Sequence, residues 1–361
     1  MRPRDGLLAL AVLTSPLTAV AADTLTVATW GGAYEAVQRQ VLFDPFEADT
    51  GVSIETVPYS GGSEILDDPP DVVDMAMSEA IAACRMQRLR PLAHGTLPDG
   101  IDGTPASDDF IGGAMQRCAL THTIYATVIA YDIRAYPGRR PSRIADLFDL
   151  ENFPGARALR RTPSDNLEWA LMSSGVPRRE IYSLLSTARG LDLAFSRLDE
   201  IRHALVWWDK GEEPVELLES GTVAMASGYN GRFFSARLDD DSPIEIIWDG
   251  QIQEYQTWVI PAHAARPNLA WQFIRHATRS RPLAELAERI AYGPARRSAA
   301  ERVLRHPDRG IDMRPHIPTH PYNSANAISK DVTWYANTLD RIRDRFERWL
   351  EAESGSSATA R

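Results

Sequence analysis

Residues 24–57 read TLTVATWGGAYEAVQRQVLFDPFEADTGVSIETV. The alternation in TLTVAT predicts a strand over 24–29. Trp30-Gly31-Gly32 predicts a turn, and residues 33–49 a helix that ends at Thr50-Gly51, where glycine suits a left-handed C-cap. Residues 52–57 (VSIETV) alternate again and predict a second strand. A strand, a helix and a strand in this order imply an α/β chain whose sheet is mainly parallel and flanked by helices.

The same grammar extends outward. Asp71–Met77 (DVVDMAM) predicts a buried third strand, followed by a helix over 81–89 and a turn at Arg90-Pro91. Ile124–Tyr131 (IYATVIAY) is rich in β-branched and apolar residues and predicts a further strand. Pro137 to Pro141 reads as a linker, and residues 144–148 as a short helix. Thr162-Pro163-Ser164-Asp165 reads as a helix start, with Thr162 as cap and proline in first position. That helix is expected to reach Ser174-Gly175. Further helices are expected over 178–188, 191–202, 268–278, 282–291 and 328–350, and short strands over 223–227, 244–248 and 256–260. The polar end ESGSSATAR (353–361) predicts a disordered tail within 351–361.

The N-terminus predicts export. Residues 1–5 carry two arginines, the apolar run GLLALAVLTSPLTAV follows, and Ala21-Ala22 closes it. This is the order of a secretory signal peptide over 1–22, and the run is short of the roughly 20 residues that a spanning helix needs. Cleavage there removes Arg2, Arg4 and Asp5 and takes the formal net charge from −10 to −11. No later stretch is long enough to span a bilayer, and no basic stripe offers a surface to nucleic acid. The 361 residues, 44% hydrophobic and 24% charged, have the composition and length of two globular domains. Two cysteines in an oxidising compartment are expected to pair, which predicts a Cys84–Cys118 disulfide.

Catalytic signatures are missing. The chain has no G-x-S-x-G elbow, no phosphate loop, no H-E-x-x-H and no G-x-G-x-x-G. Its eight histidines are scattered without ligand spacing, so neither a metal nor a cofactor is expected. What stands out is aromatics next to glycine at predicted strand ends. Trp30 precedes Gly31-Gly32 and Tyr34 follows; Tyr229 follows Gly228; Tyr292 precedes Gly293. Ligands of open α/β sheets bind beyond the carboxyl ends of the strands, where aromatic faces enclose alkyl chains and attract ammonium groups. Asp165 and Glu168, spaced i, i+3, share one helical face and offer two anionic acceptors.

These blocks resemble the bacterial extracellular solute-binding proteins of ABC importers, in particular the spermidine/putrescine-binding group. The resemblance runs through TLTVATWGGAYEAV (24–37), VVDMAMSEAIAAC (72–84), TIYATVIAYD (123–132), FPGARALRRTPSDNLEWAL (153–171), the segment from Leu198 to Arg232, WDGQIQEYQTWVIP (248–261) and AYGPARR (291–297). It implies a two-lobed periplasmic binding protein fold of type II, with a hinge between lobes. Lobe one would hold 23–124 plus 259–312 and lobe two 125–258 plus 313–350. It also implies a monomer that captures a small amine-bearing, polyamine-like solute and delivers it to an ABC permease. By position, the resemblance assigns ligand contacts to Trp30, Tyr34, Tyr125, Asp165, Glu168, Tyr229 and Tyr292. The chain departs from the polyamine pattern at Gln256, where those relatives carry aspartate; Glu254 lies two residues earlier on the same strand face. The segment between Gly62 and Asp71 is also short. The departures leave open an amino-acid-derived zwitterion, a thiamine-like cation or ferric iron as cargo, and a sensor role. Arg160, Arg161 or Arg232 at the cleft would point to a carboxylate on the ligand.

Overall fold

A computed structural model describes residues 23–239 and 241–356. The predicted signal peptide (1–22) and the last five residues lie outside the described residues. The described strands form one sheet: β1 (Thr24–Thr29), β2 (Ser53–Pro58), β3 (Val72–Ala76), β4 (Met115–Gln116), β5 (Ala119–Asp132), β6 (Arg157–Arg160), β7 (Leu205–Trp208), β8 (Met225–Tyr229), β9 (Ile244–Val259), β10 (Gly293–Pro294) and β11 (Ile328–Ser329). The main order is β2-β1-β3-β9-β5-β8-β6-β7. β2-β1-β3 and β8-β6-β7 are parallel, as strand–helix–strand units must be. The centre is different. β5 and β9 run antiparallel to each other, and to β8 and β3 beside them.

Sequence periodicity suggested two short strands over 244–248 and 256–260. They are the ends of one strand, Ile244–Val259, which pairs with β5 from Ala119↔Val259 to Asp132↔Ile244. The register breaks twice, between Thr121 and Thr123 and between Thr127 and Ile129. Bulges of this kind bend a strand and re-aim its side chains. Here they bracket residues 123–127, at the middle of the ribbon.

The core divides on either side of that ribbon. On one side Phe43, Phe46, Phe273 and Trp258 pack among themselves, with Phe46–Phe273 and Trp258–Phe273 in edge-on contact. On the other, Phe153, Leu159, Trp169, Leu198 and Phe346 belong to one buried cluster. Cys84 and Cys118 are disulfide-bonded, with Cα atoms 5.9 Å apart. The bond ties the Met77–Arg85 helix to the start of β5.

Several helical expectations change: the helix expected over 81–89 is Met77–Arg85, and the one expected over 178–188 is α-helical only at Ile181–Leu185 before the next helix begins at Ala188. The helix expected from Pro163 starts at Asn166, because the Asn166 side-chain amide donates to the Arg160 and Thr162 carbonyls and folds 162–165 as a turn. Thr162 therefore caps nothing. The C-terminal helix begins at Val332 rather than 328, since Ile328-Ser329 pair with β9 as β11. It continues through Ser356, so residues 351–356 of the expected disordered tail are helical.

Candidate functional site

The carboxyl ends of β1, β6 and β8 and the bracketed part of β5 meet in one place. Tyr125 faces Glu254 across the β5–β9 ribbon and Thr123 faces Gln256, so these four share one face of the sheet. From Tyr125 a string of rings runs both ways. Tyr125 lies 6.1 Å from Tyr292, and Tyr292 lies 5.7 Å from Tyr34, centroid to centroid. In the other direction Tyr125 meets Tyr229 edge-on at 5.7 Å, and Tyr229 meets Trp208 at 6.1 Å. Gly31 (φ 72°) and Gly32 (φ 61°) make the left-handed turn that delivers Tyr34. At Gly231 a Cβ would fall 2.6 Å from the Tyr292 ring, so only glycine lets that ring approach the start of the Asn230–Asp239 helix. Asn230 locks this junction: its amide donates to the Ala291 carbonyl at 2.5 Å, and its oxygen accepts from the Ala126 N–H at 2.9 Å.

One end of the string rests on a buried polar network. The Tyr34 hydroxyl donates to Asp74 at 3.0 Å, Gln38 donates to the same oxygen at 2.6 Å, and His122 bonds the other oxygen at 3.0 Å. Burial and the Asp74 charge hold the Tyr34 phenol protonated, its pKa well above the usual value. Close by, Thr123 Oγ1 and Gln256 Nε2 are buried with no hydrogen-bond partner. Unsatisfied buried polar atoms are costly, and these two lie on the same face of the ribbon as Tyr125 and Glu254.

The acidic end holds three carboxylates and a cation that sequence reading missed. Lys330 Nζ lies 2.8 Å from Glu254 and 3.2 Å from Asp165, and 5.3 Å from the centre of the Tyr335 ring. Burial works against its ammonium, but Asp165 and Glu254 outweigh that and raise its pKa above the ordinary lysine value. Asp165 is held at φ 72°, rare outside glycine, and its carboxylate turns to Lys330 instead of capping the helix behind it. Glu168 is fully buried; its Oε1 accepts from the Tyr335 hydroxyl, and from Tyr182 at 3.2 Å. Its Oε2 has no partner. Burial and the neighbouring Asp165 push its pKa up to about 7.

The three arginines separate. Arg160, at the end of β6, stacks between rings, 5.7 Å from the Trp208 centroid and 6.0 Å from Tyr229. Its guanidinium makes no hydrogen bond or ion pair with any described residue. Arg232 is exposed, and its Nε would lie 3.0 Å from a Cβ added at Gly211. Arg161 lies outside the site, against Glu347 at 3.5 Å. Trp30 stands apart from the string too. It packs edge-on against Tyr59 at 4.9 Å and is 37% exposed. Of the tandem tryptophans, Trp208 borders the site, whereas Trp207 packs against Phe346 and Trp349.

A faint signal for Lys330 exists: Lys210 and Lys330 are the only lysines among 39 basic side chains. Among the described residues no cluster of three His, Cys, Asp or Glu could hold a metal ion, and no helix is long and apolar enough to cross a membrane.

The profile of one family, described as "Bacterial extracellular solute-binding protein", matches residues 41–319. The chain belongs to that family. Members of this solute-binding family are substrate-binding proteins of ABC transporters, exported and not enzymes. The gamma-aminobutyric acid-binding protein of Pseudomonas aeruginosa is 28% identical over 337 residues, covering 91% of each chain. An ABC transporter substrate-binding protein from Bradyrhizobium japonicum USDA 110 superposes with a TM-score of 0.79 at 25% identity, over 91% of this chain and 99% of that one. The PBP MotA from A. tumefaciens B6, in complex with glucopine, superposes with a TM-score of 0.78 at 21% identity, over 90% and 99%. The solute-binding family's two-lobed α/β fold is thus the fold of this chain.

Proposed function

We propose that this substrate-binding protein delivers a small amino-acid-derived zwitterion to its ABC permease, held along the tyrosine string between the lobes. The carrying observation is the unpaired Arg160 guanidinium, stacked on Trp208 and Tyr229 beside an acidic cluster that Lys330 already occupies. Arg160 and Lys330 balance Asp165 and Glu254, which leaves a dication only Glu168, its pKa pushed up to about 7, and Asp74, already held by Tyr34, Gln38 and His122. A zwitterion adds no net charge. Its carboxylate suits the planar guanidinium, and its alkyl chain and ammonium group suit the ring faces of Tyr125, Tyr229, Tyr292 and Tyr34. The relative that binds gamma-aminobutyric acid supports the same class. The polyamine-like cargo expected from the aromatics and carboxylates is the weaker reading, for the reason of charge.

The bulges at His122 on β5 and around Gly250 on β9 support crossings between lobes near 122–127 and 256–262, with lobe one formed by 23–124 plus 259–312 and lobe two by 125–258 plus 313–350. Calorimetric titration with ω-amino acids, α-amino acids and diamines tests the cargo. The amino acids are expected to bind and the diamines not. Arg160→Gln is expected to weaken binding by about 10- to 150-fold, the worth of one charge-assisted bond of roughly 1.5–3 kcal/mol. Preference for putrescine or spermidine, or an unchanged affinity in Arg160→Gln, would overturn the reading.

A further inference from the structure

Lys330 occupies the acidic end of the tyrosine-lined face. It reaches two carboxylates from different elements, Asp165 at the head of the Asn166–Ser173 helix and Glu254 on β9, and lies over the ring of Tyr335. Two carboxylates and an aromatic face are the chemistry that captures a free primary ammonium. The three side chains of the ion-pair triad are almost completely shielded, between 4% and 11% exposed. Their surroundings adjoin the cargo face, because Glu254 stands opposite Tyr125. The backbone fixes the arrangement: β11 pairs with β9 at Ile328↔Ile252 and Ser329↔Gln253, and the Lys330 N–H donates to the Gln253 carbonyl at 3.0 Å. Lys330 is thereby pinned one residue beyond a strand register, with its side chain delivered to its neighbour's carboxylate.

We infer that Lys330 is a tethered cation that fills the amine-accepting end of the cleft and excludes free di- and polyamines from it. The inference rests on reading this face as the cargo site. Its consequence is specific. Cutting the side chain back leaves two carboxylates, a ring face and a volume the size of an alkylammonium chain, all unoccupied. A soluble ammonium can then take the place of the tethered one, at a cost of association that the lysine does not bear.

The test compares the wild-type protein with Lys330→Ala and Lys330→Gln. Wild type is expected to ignore butylamine and putrescine in calorimetry. Lys330→Ala is expected to bind both, at least about tenfold more tightly than wild type, and to recover thermal stability as butylammonium chloride, but not sodium chloride, is added. Lys330→Gln keeps most of the volume and should respond much less. If Lys330→Ala folds and ignores the amines, the inference falls. If it needs an amine to fold, the tethered role is upheld; if it fails with amine present while Lys330→Gln folds, the site is structural only and the inference falls. Wild-type protein carrying 15N-labelled lysine adds a readout that needs no variant. Only two side-chain ammonium resonances exist, and that of Lys330 is expected not to move as putrescine is added; displacement of it overturns the exclusion. Failure of wild type to bind any amino acid would count against the proposed cargo and leave the amine result for Lys330→Ala standing.

Discussion

Glu168 shows what a single buried carboxyl contributes. Its proton is held more tightly in the folded chain than in an unfolded one, because burial and Asp165 push its pKa up to about 7. Stability from this group is therefore fully present below the ordinary glutamate range, near pH 4.5, and is lost as pH rises toward 7. The change is on the order of 3 kcal/mol. Denaturant titrations of wild type and Glu168→Gln at pH 5 and pH 8 read it out. The wild type should lose that much relative to the variant between the two pH values, and parallel behaviour would refute the assignment. The i, i+3 spacing made Asp165 and Glu168 visible in the sequence as a pair. Their fates were not visible. One meets Lys330, which is 165 positions away, and the other meets Tyr182 and Tyr335. Long-range partners leave no trace in local periodicity.

At the scale of elements, the strand–turn–helix segment at 24–50 was legible because glycine next to an aromatic is a local signal. The long central strands were less so. The expected break between 248 and 256 is a bulged excursion around Gly250 (φ 75°) rather than the end of a strand. Only pairing with β5 shows that the two halves are one element. The disulfide is a local staple on this framework, closing 34 residues between the Met77–Arg85 helix and β5. Replacing both cysteines by serine should lower stability by about 3–4 kcal/mol in the chain-entropy account, with denaturant midpoints as the measure. At the Gly231–Tyr292 contact, Gly231→Ala should push the ring aside and cost about 1–3 kcal/mol through overpacking. Cargo affinity should fall with it, and an unaltered affinity would place Tyr292 outside the binding surface.

The whole molecule hangs on the β5–β9 ribbon, whose ends lie in different core clusters and whose middle carries Tyr125, Glu254 and Gln256. Neither half can melt without tearing pairs that belong to both. Calorimetry of the free protein should therefore show one unfolding transition; two resolved transitions would mean the halves are only loosely coupled. Cargo at 100 times its Kd should raise stability by about 2.7 kcal/mol. The amino-acid order by itself determined the α/β class and the pairing of the cysteines and singled out Tyr34, Tyr229 and Tyr292, because strand alternation, glycine turns and two cysteines in one compartment are properties of neighbours and composition. Only the tertiary structure decided the charge of the site. Lys330, Glu254 and the Arg160–Asp165 segment are three separate stretches of chain, and whether carboxylates await a cation or already hold one depends on distances of about 3 Å that no spacing along the sequence encodes.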